Sequence, residues 1–292
     1  MILNVSSRTD IVAFYTDWFM KRYHEGYVDV RNPFYPNQIS RIKFKNIDAI
    51  LFCTKNPIPI INRIEEIKHP IVFHVTLTPY KKDIEPNLPK KREIIDAIKK
   101  ISNIIGRDNI YLRYDPILLN DYYNIDYHIK SFEKICNLLN GYITNIIVSF
   151  IDDYKNVRNN MKVLKLKNFK MDDYKKIGIN FSKIAKKYNM TIQTCCEKNN
   201  LSEYGFIIND CISKELALKL TGKTFKKWKS RDCNCIEMVD IGCYNTCMHF
   251  CKYCYANYDE KKVISNYKKH ITNSSLLIGE IKNNDLIKDR IK

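Results

Sequence analysis

Met1-Ile2-Leu3-Asn4-Val5-Ser6-Ser7-Arg8-Thr9-Asp10 begins with a short apolar run and turns at once to polar and charged residues. Ile2 to Val5 is too short for a helix and reads as a strand buried on both faces. The pattern recurs along the chain. Ala49 to Cys53 precedes Thr54-Lys55-Asn56-Pro57, and Ile71 to Leu77 precedes Thr78-Pro79-Tyr80. Ile110 to Arg113 runs into Arg113-Tyr114-Asp115-Pro116, Asn145 to Phe150 into Ile151-Asp152-Asp153, and Thr191 to Thr194 into Cys195-Cys196-Glu197. Near-continuous apolar runs of this length are the signature of parallel strands. Amphipathic stretches between them, at Phe14 to His24, Pro57 to Ile67, Pro89 to Ile104, Ile125 to Leu139 and Met171 to Tyr188, predict crossover helices. The alternation predicts an α/β fold, a TIM-like (β/α) barrel over residues 1–210.

In such a barrel the polar strand ends converge on one rim, where active sites lie. That nominates Arg8, Asp10, Lys55, Arg113, Asp115 and Glu197 as candidate catalytic residues, the cations to hold charged groups and the aspartates to orient them or relay protons. Each also has a plainer reading as turn chemistry, Asp10 for instance as a helix cap. Charged residues at several strand ends together favour a polar site.

Near the C-terminus, Thr246-Cys247-Met248-His249-Phe250-Cys251-Lys252-Tyr253-Cys254-Tyr255 spaces three thiols as C-x3-C-x2-C. Thiols this close can serve one metal centre, and three where a closed site needs four leave one iron of a four-iron cluster with an open position. The spacing and the aromatic before the third cysteine resemble the radical S-adenosylmethionine (SAM) superfamily, most closely the loop of its photoproduct lyase branch. The resemblance implies a [4Fe-4S] cluster on Cys247, Cys251 and Cys254, SAM chelated at the open iron, and reductive cleavage to a 5'-deoxyadenosyl radical. It also gives Tyr253 a part in shielding the cluster or meeting adenine. The superfamily carries this loop after its first strand; here it follows a seventh candidate strand, Ile236 to Ile241, at the far end of the chain. A permuted radical SAM-type barrel, closed by the last strand against the first, accounts for that, and a cysteine-rich lobe over residues 211–260 capping the barrel is its rival. Residues 261–292 read as a polar helical tail.

Eleven cysteines crowd toward the last third of a chain that starts directly on a strand, without a basic leader, so the expectation is a cytoplasmic protein using thiols for metal rather than disulfides. Cys196, Cys211, Cys233 and Cys235 are candidates for a second site, a structural zinc or a second [4Fe-4S] cluster, with Cys243 and Cys195 as substitutes. Cys53 and Cys136 read as packing thiols. His249 reads as a loop-shaping group and His74 as a satisfied core histidine.

The 292 residues carry a formal net charge of +17, which invites an anionic or nucleic-acid partner. Lysine dominates the charge and is scattered over predicted helices, so a solvated surface is the simpler reading. No apolar run is long enough to span a bilayer.

Ser7-Arg8-Thr9-Asp10-Ile11, Val30-Arg31-Asn32-Pro33-Phe34, Thr54-Lys55-Asn56-Pro57, Arg113-Tyr114-Asp115-Pro116, Cys196-Glu197, Cys233-Asn234-Cys235, Asp240-Ile241-Gly242 and the cysteine loop together resemble a bacterial family known only as domain of unknown function 1848. The resemblance covers nearly the whole chain and implies a barrel with a C-terminal iron–sulfur loop. Three functions follow: a radical SAM-like enzyme served by an electron donor such as ferredoxin or flavodoxin; a non-SAM iron–sulfur redox or electron-transfer protein whose fourth ligand is a side chain such as Cys243; and a zinc-stabilised nucleic-acid-binding module.

Overall fold

The computed structural model describes residues 1–292 apart from 195, 196, 198, 200, 209, 229–234 and 292, and apart from the side chain of 156. In chain order the strands are β1 (Ile2–Val5), β2 (Tyr27–Arg31), β3 (Gln38–Lys43), β4 (Ala49–Thr54), β5 (Ile71–Thr76), β6 (Ile110–Ile117), β7 (Asn145–Phe150), β8 (Thr191–Thr194), β9 (Ile207–Ile208), β10 (Met238–Asp240) and β11 (Leu286–Asp289). The helices are α1 (Ile11–Phe14), α2 (Thr16–Glu25), α3 (Lys91–Ile105), α4 (Ile125–Leu138), α5 (Arg158–Met161), α6 (Met171–Lys187), α7 (Lys214–Thr221) and α8 (Glu260–Lys268).

Eight strands form one sheet in the order β10-β1-β4-β5-β6-β7-β8-β9, every neighbouring pair parallel. From β1 onward the spatial order follows the chain order. Right-handed crossovers in a sheet wound one way place their helices on one face. That face carries Leu3, Val5, Phe52, Phe73, Val75, Leu112, Tyr114, Ile146 and Val148, packed with helical residues such as Trp18, Phe19, Ile94, Ile98, Phe132 and Phe181. The rings of Phe132 (α4) and Phe181 (α6) stack at 3.9 Å. Alternate strand residues face the other way: Ile2, Ala49, Leu51, Val72 and Met238 meet Leu216 and Ala217 of α7. Among the described residues the ladder runs from β10 to β9, and no pairing joins these two edge strands.

The six expected strands are present, and the seventh is trimmed to β10 beside β1. The stretch expected as a helix from Pro57 to Ile67 is a 3-10 helix, Ile58–Glu66. The reading missed a second sheet, β11-β3-β2, in which β2 and β3 are antiparallel and β11 joins parallel to β3. Polar residues such as Asp29 and Arg41 hide these strands in the sequence; in the fold they pair across β2 and β3 at 2.8 and 2.9 Å, with the Asp29 carboxylate buried. The expected helical tail is helical only over α8, and its end is β11 because Leu286 to Asp289 finds an open edge on β3. No helix among the described residues is long and apolar enough to cross a membrane.

Candidate functional site

The segment after β10 returns over the ends of β1, β4 and β5 and is tied down residue by residue. Asn245, at φ 54°, and Asn257 clasp its two ends. Asn245 Oδ1 accepts from the Tyr258 and Asp259 N–H groups at 3.0 and 3.2 Å, and Asn257 Oδ1 accepts from the Cys247 N–H at 3.3 Å while its amide donates to the Cys247 carbonyl. Tyr15 donates to the Thr246 carbonyl at 2.6 Å, Asn87 Nδ2 to Met248 O at 2.8 Å, and the Lys252 N–H to Ile84 O at 3.0 Å. The segment following β7 covers the other side, with Val157, Met161 and Leu164 packed in one cluster with Cys251 and Tyr253.

Cys247 and Cys251 are buried and Cys254 is half-buried. Burial pushes all three thiols above their ordinary value. For Cys247 the Asp10 carboxylate and the other two sulfurs add to burial; Lys55 opposes it at Cys251 and Cys254. The sulfurs are thus close enough to repel one another once ionised. Backbone N–H groups near two of them work against burial, that of His249 at Cys247 and those of Ala256 and Asn257 at Cys254. Buried thiols that need a cation to ionise them, with backbone N–H groups near two of the sulfurs, suit a cluster. Among the described residues no three His, Cys, Asp or Glu side chains close on a single metal ion. A four-iron cluster spreads its ligands over separate irons and so needs a wider spacing.

The rim residues nominated from sequence divide into two groups. Arg8 donates from Nε to Asp240 Oδ1 at 3.1 Å and from Nη2 to the Asp240 carbonyl at 2.8 Å. Lys55 pairs with Glu85 at 3.0 Å and lies 5.3 Å from the centre of the Tyr253 ring. Burial would lower the Lys55 ammonium, but Glu85 and the Cys251 sulfur hold it above the ordinary value. Asp10 caps α1, accepting from the Ala13 N–H at 3.0 Å, and binds Thr54, Lys55 and His249 as well. These three, with Tyr253, surround the cysteine loop.

Arg113, Asp115 and Glu197 stand farther along the sheet, on β6 and after β8. Arg113 donates to Asp115 Oδ2 at 2.5 Å and 3.0 Å, and from Nη1 to Cys211 Sγ at 3.2 Å. Against burial, the Cys211 sulfur and Asp115 hold its guanidinium well above the ordinary value. Glu197 accepts from the Phe150 N–H at 2.9 Å. Burial lifts its carboxyl to about 7, and the charges of Asp152 and Asp115 add to the effect.

The second set of cysteines is met only in part. Cys211 lies beside Arg113, and Cys235 is buried. A bond from the Ile236 N–H to Ile212 O at 3.2 Å sets the backbone next to Cys235 against that next to Cys211. Cys196, Cys233 and Cys195 lie outside the described residues. Cys53 fits its packing role, with burial holding its thiol up at about 12. His74 differs from the expectation: it is buried at 1% exposure, its Nε2 has no hydrogen-bond partner among the described residues, and burial pushes its imidazole down to about 3.

Glu85 is the residue that sequence reasoning missed. It sits in an irregular loop and carries no spacing signal, yet it is 1% exposed and collects Lys55, Lys91 at 2.5 Å, Thr78 at 2.7 Å and the Tyr253 hydroxyl. Burial would raise its carboxyl; the two lysines hold it at about 2. Tyr253, expected to shield a cluster or meet adenine, has its hydroxyl committed to this carboxylate. Asp240 was visible as part of Asp240-Ile241-Gly242, though its role as acceptor for Arg8, Ser6 and Ser7 was not.

No curated protein and no solved structure matches the chain. The family model for the domain of unknown function DUF1848 matches residues 2–256, spanning β1, the sheet and the whole cysteine loop, and the chain belongs to that family.

Proposed function

We propose that this chain is an iron–sulfur enzyme of the radical SAM type, with a [4Fe-4S] cluster on Cys247, Cys251 and Cys254 and S-adenosylmethionine taken up at the iron that no thiolate holds. When bound, the cluster would supply the electron for reductive cleavage of the cosubstrate, which starts radical chemistry on an unidentified substrate. The observation that carries the reading is the loop itself: three thiols of one loop at the C-terminal ends of a parallel sheet, with backbone N–H groups near two of the sulfurs. The chain's share is to hold the cluster, exclude water with the segment after β7, and orient the cosubstrate. We take the sheet as a permuted barrel. Its neighbours follow chain order, and β10, the strand that leads into the loop, pairs with β1 as the first strand of a radical SAM barrel would with its neighbour. The electron would come from a small donor such as ferredoxin or flavodoxin. Cys211 and Cys235, with Cys196 and Cys233, are the candidates for a second centre, iron–sulfur or zinc.

One observation favours a non-SAM iron–sulfur redox protein instead: Arg8, Lys55 and Arg113 are each neutralised by a carboxylate, which leaves fewer charges to hold a cosubstrate carboxylate. Anaerobic reconstitution with iron and sulfide, followed by SAM and a strong reductant, separates the two. The expected result is 5'-deoxyadenosine in step with cluster content. An intact cluster with no cleavage product would transfer the assignment to the redox reading, and zinc without iron or sulfide would remove both.

A further inference from the structure

His249 presents a nitrogen that nothing in the described structure satisfies. Its Nε2 lies 2.9 Å from Asp10 Oδ2, and its Nδ1 is buried without a hydrogen-bond partner. His249 is 2% exposed and Asp10 6%. Asp10 is itself fixed by three other donors, the Ala13 N–H at 3.0 Å, the Thr54 hydroxyl at 2.7 Å and the Lys55 N–H at 2.8 Å. A carboxylate only accepts, so its bond to Nε2 places a proton there, and the neutral ring in that tautomer carries its lone pair on Nδ1.

The place of His249 in the cysteine loop suits a ligand. His249 sits midway in the chain between Cys247 and Cys251, and Nδ1 is the ring nitrogen nearer its own backbone, whose N–H lies near the Cys247 sulfur. The ring packs on Phe14 at 4.6 Å, and Phe250 turns the chain sharply just after it, at φ 55°. An imidazole oriented by a carboxylate on one nitrogen, with the other free, is how metal-binding histidines are held. Histidine replaces cysteine on iron in some iron–sulfur clusters. The rival fourth ligand, Cys243, has its sulfur 3.7 Å from the Tyr244 carbonyl, and the charges bearing on it are those of Arg8, Lys262 and Asp240.

We infer that His249 Nδ1 is the fourth ligand of the cluster on Cys247, Cys251 and Cys254 whenever no cosubstrate occupies that iron; this rests on the iron–sulfur reading above. The bond is dative, from the neutral imidazole to iron, with the proton kept on Nε2 toward Asp10 and no electron transferred. His249 then caps the exposed iron against water and oxygen and gives way to a chelating cosubstrate.

The test is pulsed electron paramagnetic resonance on the reconstituted, reduced full chain without cosubstrate. A nitrogen-14 coupling is expected that becomes a nitrogen-15 coupling when the protein is grown with labelled histidine and disappears in His249→Ala. Four irons and four sulfides per chain with no histidine coupling would overturn the inference while leaving the iron–sulfur reading intact. A protein that takes up no iron and sulfide would overturn both. The labelled wild-type chain decides the matter even where the variant fails to fold.

Discussion

Ser6 Oγ donates to Asp240 Oδ1 at 2.7 Å across 234 residues, joining the end of β1 to the end of β10. The same carboxylate accepts from the Ser7 N–H at 2.7 Å, the Ser7 hydroxyl at 2.8 Å, Arg8 Nε at 3.1 Å and the Gly242 N–H at 2.7 Å. This clasp fixes the strand leading into the cysteine loop against the first strand of the sheet. Asp240→Ala leaves the largely buried Arg8 guanidinium without its counter-ion and is expected to lower stability by about 3–5 kcal/mol. Asp240→Asn, which keeps the shape but not the charge, should fall between. Urea unfolding followed by circular dichroism measures both, and a midpoint unchanged in Asp240→Ala would refute the clasp.

Gly242 leaves room for that clasp. A Cβ there would lie 2.0 Å from Ser6 Oγ and 2.9 Å from Ser6 Cβ, so Gly242→Ala must push Ser6 off the carboxylate. A loss of about 1–3 kcal/mol is expected, as for overpacking of a close-packed site. The double variant Ser6→Gly/Gly242→Ala removes the clashing side chain and should recover part of it. Equal midpoints for wild type and Gly242→Ala would show that the clash is absorbed elsewhere.

Glu197 gives the pH dependence a definite sign. Its carboxyl is raised from 4.5 to about 7 in the fold, so the folded state binds more protons than the unfolded state between those values. Its contribution is therefore most favourable at low pH and is lost as pH rises from about 4.5 through 7. Glu197→Gln should be more stable than wild type at pH 8, by about 2 kcal/mol after allowance for its partial exposure. The difference should vanish near pH 4.5. A constant difference across this range, measured by thermal unfolding, would show that Glu197 does not titrate with folding.

On the proposed iron–sulfur reading, the raised thiols of the cysteine loop would make cluster loading a proton-releasing event. Cys247, Cys251 and Cys254 are protonated at neutral pH before metal arrives, and metal ligation requires thiolates. Transfer of a preformed cluster from a donor of known protonation, followed by calorimetry in two buffers of different ionisation enthalpy, should report about three protons released per chain. Each Cys→Ser change at these positions should abolish stable loading, and Cys53→Ser should leave it intact. Loading without proton release would mean that the thiols are already ionised.

The strands were legible because a parallel sheet covered on both faces favours short runs of apolar and β-branched residues, and Ile2–Val5, Asn145–Phe150 and Thr191–Thr194 are strands with the bounds such a reading gives. The strands β2 and β3 were not. Their polar side chains are tolerated through pairs such as Asp29 with Arg41, which exist only once the hairpin has formed. Among the site residues, Arg8, Asp10 and Lys55 were visible as polar strand ends, while Glu85 had no signal because its position depends on two lysines and a tyrosine drawn from other segments.

By itself the sequence determined the α/β alternation, the three-thiol loop and the polar character of the strand ends, because periodicity and short-range spacing are local properties of a chain. Only the tertiary structure decided that β10 lies beside β1, that the nominated cations are neutralised by Asp240, Glu85 and Asp115, and that Asp10 clasps His249. Those relations join residues as many as 239 positions apart, and a charge acquires its role from the partner that burial forces upon it.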